Sequence, residues 1–403
     1  MRTRLRLLLV LALLGTTALP TVPASAQSAP VPGPCQEGVL PGGALSLFCI
    51  PGAGWSGDLF VYAHGYVAFN EPIDFHHLTL PDGTSLPDLV QSLGYAFATT
   101  SYRTNGLAVL QGADDIRELV AAFPAVAGMA PLYTYLTGVS EGGLVTALLI
   151  EQSPELFSGG LAACGPIGDF RKQIDYFGDF RVLWDYSFPG VLPPSPISIP
   201  QDVIDRWEDT YAPAVRSAVA ASPGAALQLI HTSKAAIDPG DSTSVTTTAE
   251  NVLWYNVFGT NDAVAKLGGS PYDNLTRLYR GSTNDLRLNL NVQRFAADPA
   301  ALPALEAYET TGALTIPLVT LHTTGDEVIP FWHETLYLQK ARASGTGHLT
   351  QIPVVRYGHC NFTTGEVLGA FFRLIFQVTR SPVQDPPERA RDEPRAQEAE
   401  RQA

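Results

Sequence analysis

The chain has 403 residues, of which 45% are hydrophobic and only 16% charged. That composition excludes a disordered or fibrous protein and leaves ample material for a buried core. With 25 Lys and Arg against 39 Asp and Glu, the formal charge is -14, which argues against nucleic acid or an anionic membrane as the main partner.

In chain order, the first feature is a three-part secretory signal over residues 1–26. Arg2, Arg4 and Arg6 precede an apolar run at residues 7–14, and Ala24-Ser25-Ala26 supplies a small-residue cleavage site. The run is too short for a membrane span, and no later segment offers the ~20 uninterrupted apolar residues that a span needs. Cys35 follows no lipobox-like stretch. The mature chain is therefore expected to be secreted, extracellular or periplasmic, with no stable membrane anchor.

Four cysteines in an exported chain predict disulfides, with three possible pairings. Cys35 and Cys49 flank a predicted hairpin and are the natural first pair, which leaves Cys164 with Cys360. No two cysteines stand at a zinc-knuckle spacing. The adjacent His76 and His77 would point to opposite sides of a strand, with no acid to complete a site. No metal is expected.

After a Pro/Ser/Ala leader at residues 27–34, strands alternate with helices. Strands are predicted at residues 59–63, 95–100, 132–139, 160–164, 316–320 and 352–355. Ile116, Leu119, Val120 and Phe123 share one helical face, residues 144–150 form a buried helix, and Val367, Phe371, Leu374, Ile375 and Val378 line a final one. This alternation implies an α/β fold with a mainly parallel sheet covered on both faces. Residues 167–310 differ in texture, rich in Pro, Asn, Asp and aromatics including Trp184, Trp207, Trp254 and Tyr255. A structureless loop of that length is improbable, so the segment reads as a mostly helical cap inserted between residues 27–166 and 311–379. Its tryptophans Trp184 and Trp254 are expected to control which substrates enter. Residues 380–403 lack apolar periodicity and read as a disordered, solvated tail.

The strongest chemical signal is Gly138-Val139-Ser140-Glu141-Gly142-Gly143. It follows an apolar strand and opens a helix, the context of a nucleophile elbow. A sharp turn there presents the Ser140 hydroxyl above the sheet and requires small residues on either side. Serine is a weak nucleophile and needs a positioned base. Of eight histidines, His359 stands just past a late strand, and Asp326 ends the strand before it. The order Ser140, Asp326, His359 is nucleophile, acid, base. Asp169, after the strand that follows the nucleophile helix, is the alternative acid.

On these residues the chain resembles the α/β-hydrolase superfamily over most of residues 36–379. The resemblance implies an α/β-hydrolase sheet and assigns the two oxyanion-hole N–H groups to Tyr66, in His64-Gly65-Tyr66, and to Glu141. One such donor contributes about 3–4 kcal/mol to the transition state. His64 is expected to fix its loop rather than to take part in chemistry. His359-Cys360 is similar to tannases and feruloyl esterases, in which a cysteine beside the catalytic histidine is bonded to one just before the nucleophilic serine. Val139 occupies that second position here, and Cys164 is the available substitute. Asp326-Glu327-Val328-Ile329-Pro330 is similar to the surroundings of the acid in many lipases and esterases.

The expected function is a secreted serine hydrolase cleaving carboxylic esters, small-molecule or polymeric, through an acyl-enzyme and without a cofactor. A capped serine peptidase would use the same triad, and a noncatalytic binding protein on this fold is the alternative of a different class.

Overall fold

The computed structural model describes residues 29–380. The predicted signal lies outside them, as does the predicted tail apart from Arg380, which ends the last helix. Eight strands form one sheet: β1 (Cys35–Val39), β2 (Leu45–Cys49), β3 (Leu59–Ala63), β4 (Ala96–Thr100), β5 (Thr134–Val139), β6 (Gly159–Ala163), β7 (Leu318–Gly325) and β8 (Leu349–Tyr357). Their order is β1-β2-β4-β3-β5-β6-β7-β8. The pairs β1–β2 and β2–β4 are antiparallel, and all others are parallel. This is the α/β-hydrolase fold.

The parallel strands read as unbroken apolar runs because helices cover both faces. Along β3, Leu59, Val61 and Ala63 enter one core layer with Ile116, Leu119 and Phe123 of helix Val109–Ala127. Phe60 and Tyr62 point the other way, into a layer with Phe371 and Leu374 of helix Thr364–Arg380. The period of two thus divides one strand between two cores. Helix Glu141–Gln152 is buried along almost its whole length, from Glu141 to Ile150, which is why it lacks a polar face in sequence.

Between β6 and β7 the chain forms a helical layer with its own core. Helices Phe170–Ser187, Ala212–Ala221, Pro223–Ser233 and Ser244–Leu267 contribute Phe180, Trp184, Val215, Leu229, Val252 and Val257 to it. The two ends of this insertion meet, since the Thr310 hydroxyl donates to the Ile167 carbonyl at 2.6 Å. Glu309 accepts from the Phe170 N–H at 2.8 Å and the Lys340 ammonium at 3.0 Å. Trp184 is fully buried and stacked on Phe188, with ring centroids 4.4 Å apart. It is a core residue of the insertion, not the substrate gate expected from sequence.

Cys35 is bonded to Cys49 across the ends of the β1–β2 hairpin, with Cα atoms 4.1 Å apart. Cys164, just past β6, is bonded to Cys360, just past β8, with Cα atoms 5.4 Å apart. Among the described residues no helix is long and apolar enough to cross a membrane.

Candidate active site

β5 ends at Val139, and Ser140 turns the chain into the next helix at φ 57° and ψ -121°. A side chain rarely adopts a positive φ, and such strain persists only where surrounding structure over-determines it. Here the flanking glycines allow the close packing that does so. A Cβ on Gly138 would lie 1.9 Å from the Gly142 carbonyl oxygen, and one on Gly142 would lie 2.1 Å from that of Ala63. The Ser140 N–H donates to the Ala163 carbonyl at 2.8 Å, tying the turn to β6.

Asp326 and His359 reach this point from the ends of β7 and β8. The His359 Nδ1–H donates to Asp326 Oδ2 at 2.8 Å, which leaves Nε2 to accept from the Ser140 hydroxyl at 2.9 Å. The other Asp326 oxygen accepts from the N–H groups of Val328 at 3.0 Å and Ile329 at 2.7 Å. Burial by itself would raise the Asp326 carboxyl. The charges of His359 and His322 and the hydrogen bond from His359 outweigh it and hold the group well below the usual carboxylate range. Gly358 (φ 106°) donates its N–H to Gly325 and accepts from the Thr323 hydroxyl, locking the turn before His359 to β7. On the other side Cys360 is anchored by its disulfide. Both Cys164 and Cys360 hold left-handed backbone, at φ 45° and 50°.

The loop after β3 lies directly beside Ser140, since a Cβ on Gly65 would stand 3.2 Å from the Ser140 Cβ. This brings the backbone of Tyr66 next to the nucleophile. Glu141 is the first residue of its helix, so its N–H has no intrahelical partner. The Tyr66 hydroxyl donates to the Phe258 carbonyl at 3.0 Å, and its ring meets Trp254 edge-on at 6.0 Å, so the insertion holds this loop in place. The Glu141 carboxyl is buried and accepts from the Ala108 N–H at 2.9 Å. Burial pushes it up to about 8, so it is neutral at pH 7.

Two spaces meet at Ser140 and His359. An apolar cavity of about 120 Å³ opens beside Ser140, walled by Tyr66, Phe170, Ile174, Phe177, Tyr255 and Tyr272. A wider, more polar cleft of about 800 Å³ opens beside His359, lined by Glu208, Glu250, Trp254, Glu327, Tyr357 and Phe362. Tyr255 borders both. It lines the apolar cavity together with Ser140, and its ring stands edge-on to His359 at 6.4 Å. Sequence reasoning noted Tyr255 only as one cap aromatic among many, and nothing in its spacing separates it from the core aromatics beside it.

The alternative acid is elsewhere. Asp169 caps helix Phe170–Ser187, accepting from the Lys172 N–H at 2.8 Å, a local role that satisfies a helix-terminal donor. His64 stacks on Tyr102 at 3.9 Å and hydrogen-bonds the Gly65 carbonyl. Burial depresses its imidazole to about 4, so it is neutral. The His76 imidazole hydrogen-bonds the Pro72 carbonyl, and His77 sits at φ 59°. Cys164, His359 and Cys360 come together as metal-ligand types among the described residues. Both sulfurs are consumed by the disulfide, so no thiolate pair is present there to hold an ion.

No protein-family model and no curated protein matches the chain. Solved structures with a similar fold include an acylaminoacyl peptidase from Pyrococcus horikoshii, at 13% identity and TM-score 0.42, covering 85% of this chain and 39% of that one. Feruloyl esterase B from Aspergillus oryzae gives 12% and 0.45, covering 82% and 73%. The rice cell wall degrading esterase LipA from Xanthomonas oryzae gives 12% and 0.42, covering 83% and 84%. This chain thus spans about two fifths of the peptidase. At such identities the likeness concerns the fold alone.

Proposed function

We propose that this protein is a secreted serine hydrolase that cleaves carboxylic esters through an acyl-enzyme. The observation that carries the reading is the continuous hydrogen-bonded chain from Ser140 through His359 to Asp326, at 2.9 and 2.8 Å, with Ser140 on a strained turn at the mouth of an apolar cavity. Ser140 Oγ attacks the ester carbonyl carbon while His359 Nε2 takes its proton. The oxygen that gains charge is met by the N–H groups of Tyr66 and Glu141. As the tetrahedral adduct collapses, His359 returns the proton to the departing alcohol oxygen, and the acyl group stays on Ser140. Water then repeats the sequence, with His359 again as base, and releases the acid. Asp326 holds the imidazole in the tautomer that can accept at Nε2 and stabilises the imidazolium.

The two spaces suit this chemistry. The acyl group occupies the apolar cavity beside Ser140, Glu141 and Tyr66, and the leaving alcohol lies in the open cleft, on the side from which His359 delivers the proton. The chemistry requires no cofactor. Export is supported by the signal-like first 26 residues and by two disulfides.

The test is hydrolysis of p-nitrophenyl esters of increasing chain length beside aminoacyl arylamides, with Ser140→Ala as control. Ester turnover and fluorophosphonate labelling, both lost in Ser140→Ala, are expected. Preferential cleavage of arylamides would make the protein a peptidase. Inertness of the folded wild-type protein toward both would favour a binding role.

A further inference from the structure

A second histidine stands beside the Asp326 oxygen that accepts from His359. His322, in β7, is 1% exposed at its side chain, Asp326 0% and Glu334 4%. His322 Nε2 faces the Ile329 carbonyl at 2.8 Å and Asp326 Oδ2 at 3.4 Å, and Nδ1 faces Glu334 Oε1 at 3.3 Å. Each ring nitrogen therefore meets only acceptors. A neutral imidazole has one N–H and one lone pair, and either tautomer would point a lone pair at a buried oxygen. The imidazolium satisfies both sides.

The surroundings hold that charge in place. Glu334 Oε2 accepts from the Thr320 hydroxyl and from the Gln351 amide at 2.6 Å, so the carboxylate cannot swing away. Phe331 stands edge-on to the His322 ring at 5.8 Å. The other titratable neighbour is His333, whose Nδ1 accepts from the Gly168 N–H at 3.0 Å while Nε2–H donates to Gln173 at 2.8 Å. Burial keeps it neutral. Glu327 lies beyond Asp326, hydrogen-bonded to Asn251. Burial would depress His322, but the carboxylates of Asp326 and Glu334 beside its ring nitrogens push it up to about 10.

We propose that His322 is a positioning residue for the reaction: a permanent imidazolium, held by Glu334, that stands at the Asp326 oxygen shared with His359 and tunes how readily the catalytic base takes the serine proton. This rests on reading Ser140, His359 and Asp326 as a triad. With one buried cation between two carboxylates, the cluster carries a net charge of about minus one at rest. It becomes neutral when His359 accepts the serine proton, which is the state the transition state requires. Without His322, the carboxylates of Asp326 and Glu334 would be left without the cation between them, and the added negative charge beside the catalytic imidazole would favour its protonated form, which cannot act as a base.

The experiment follows kcat/KM for a p-nitrophenyl ester against pH in four proteins. The acid limb of the profile reports loss of the proton from the catalytic imidazole. His322→Gln removes a cation and should move that limb up by about one pH unit. Glu334→Gln removes an anion and should move it down. The double variant restores the net charge and should return the limb to within about 0.3 unit of wild type. Contacts that serve only stability would not give shifts of opposite sign that cancel. Limbs that stay at the wild-type position, or that move the same way in both single variants, overturn the proposal. If His322→Gln does not fold, a downward limb in Glu334→Gln supports the proposal and an unmoved one overturns it. A wild-type protein that neither hydrolyses esters nor takes a fluorophosphonate label removes the triad reading itself, and the proposal with it. Unmoved limbs in an active enzyme remove only the role of His322.

Discussion

Replacing both Cys164 and Cys360 by Ser removes a cross-link that closes a loop of 196 residues around the whole helical insertion. In the chain-entropy account, a loop of that length restrains the unfolded chain by about 5 kcal/mol. For a folded chain of this size that corresponds to about 7 °C in Tm. The functional consequence is sharper, because Cys360 directly follows His359 and its bond ties that turn to the end of β6. Released from β6, the turn carrying His359 keeps the Gly358 contacts to β7 but loses its anchor on the far side. A displacement of about 1 Å at a reacting group can lower turnover by about a hundredfold, so kcat is expected to fall by about tenfold or more with KM little changed. Removing both cysteines together avoids a stray thiol. The assays are thermal unfolding by fluorescence and steady-state hydrolysis of a p-nitrophenyl ester, with the Cys35→Ser/Cys49→Ser pair as control. That control opens only a short hairpin far along the chain from His359, so it should lower Tm and spare kcat. A Cys164→Ser/Cys360→Ser protein that melts lower but keeps wild-type kcat would refute the bracing of His359, and an unchanged Tm would refute the entropic argument.

Asp326→Asn should lower kcat by about four orders of magnitude, since an amide favours the wrong tautomer of His359. Asp169→Asn should retain near-normal turnover, and the reverse pattern would mean that the acid is misassigned. Ile174→Trp, which fills the apolar cavity, should depress kcat/KM for long acyl chains more than for acetate, whereas Trp254→Ala, in the open cleft, should change the choice of alcohol. Equal effects on all esters from both changes would count against the division into acyl and alcohol sides. Glu141 binds its proton more tightly folded, at about 8, than at its ordinary 4.5. Its contribution to stability is present below the lower value and is lost as pH rises through the upper one. Glu141→Gln should therefore raise Tm relative to wild type more at pH 8.5 than at pH 5, as scanning calorimetry can check.

Much of the framework is legible in the sequence because it follows from local sterics and short periods. The apolar runs of β3 and β6 announce strands covered on both faces, and the Gly138–Gly142 spacing around Ser140 is what a sharp strand-to-helix turn permits. Chain order then singles out Asp326 and His359, which end successive strands and so arrive at the same edge of a parallel sheet. What lies around them depends on contacts between residues far apart in the chain, for which no local pattern exists. Ser140 and His359 are separated by 219 residues and meet at 2.9 Å. Only the folded chain assigns Asp169 to a helix cap, buries Trp184 in the core of the insertion, and brings Tyr255 into the cavity beside Ser140. His322 is the clearest case. In sequence it is one of the chain's eight histidines, set in an apolar strand, and its charge arises only because β7 and the following helix hold Asp326 and Glu334 on opposite sides of its ring, away from water.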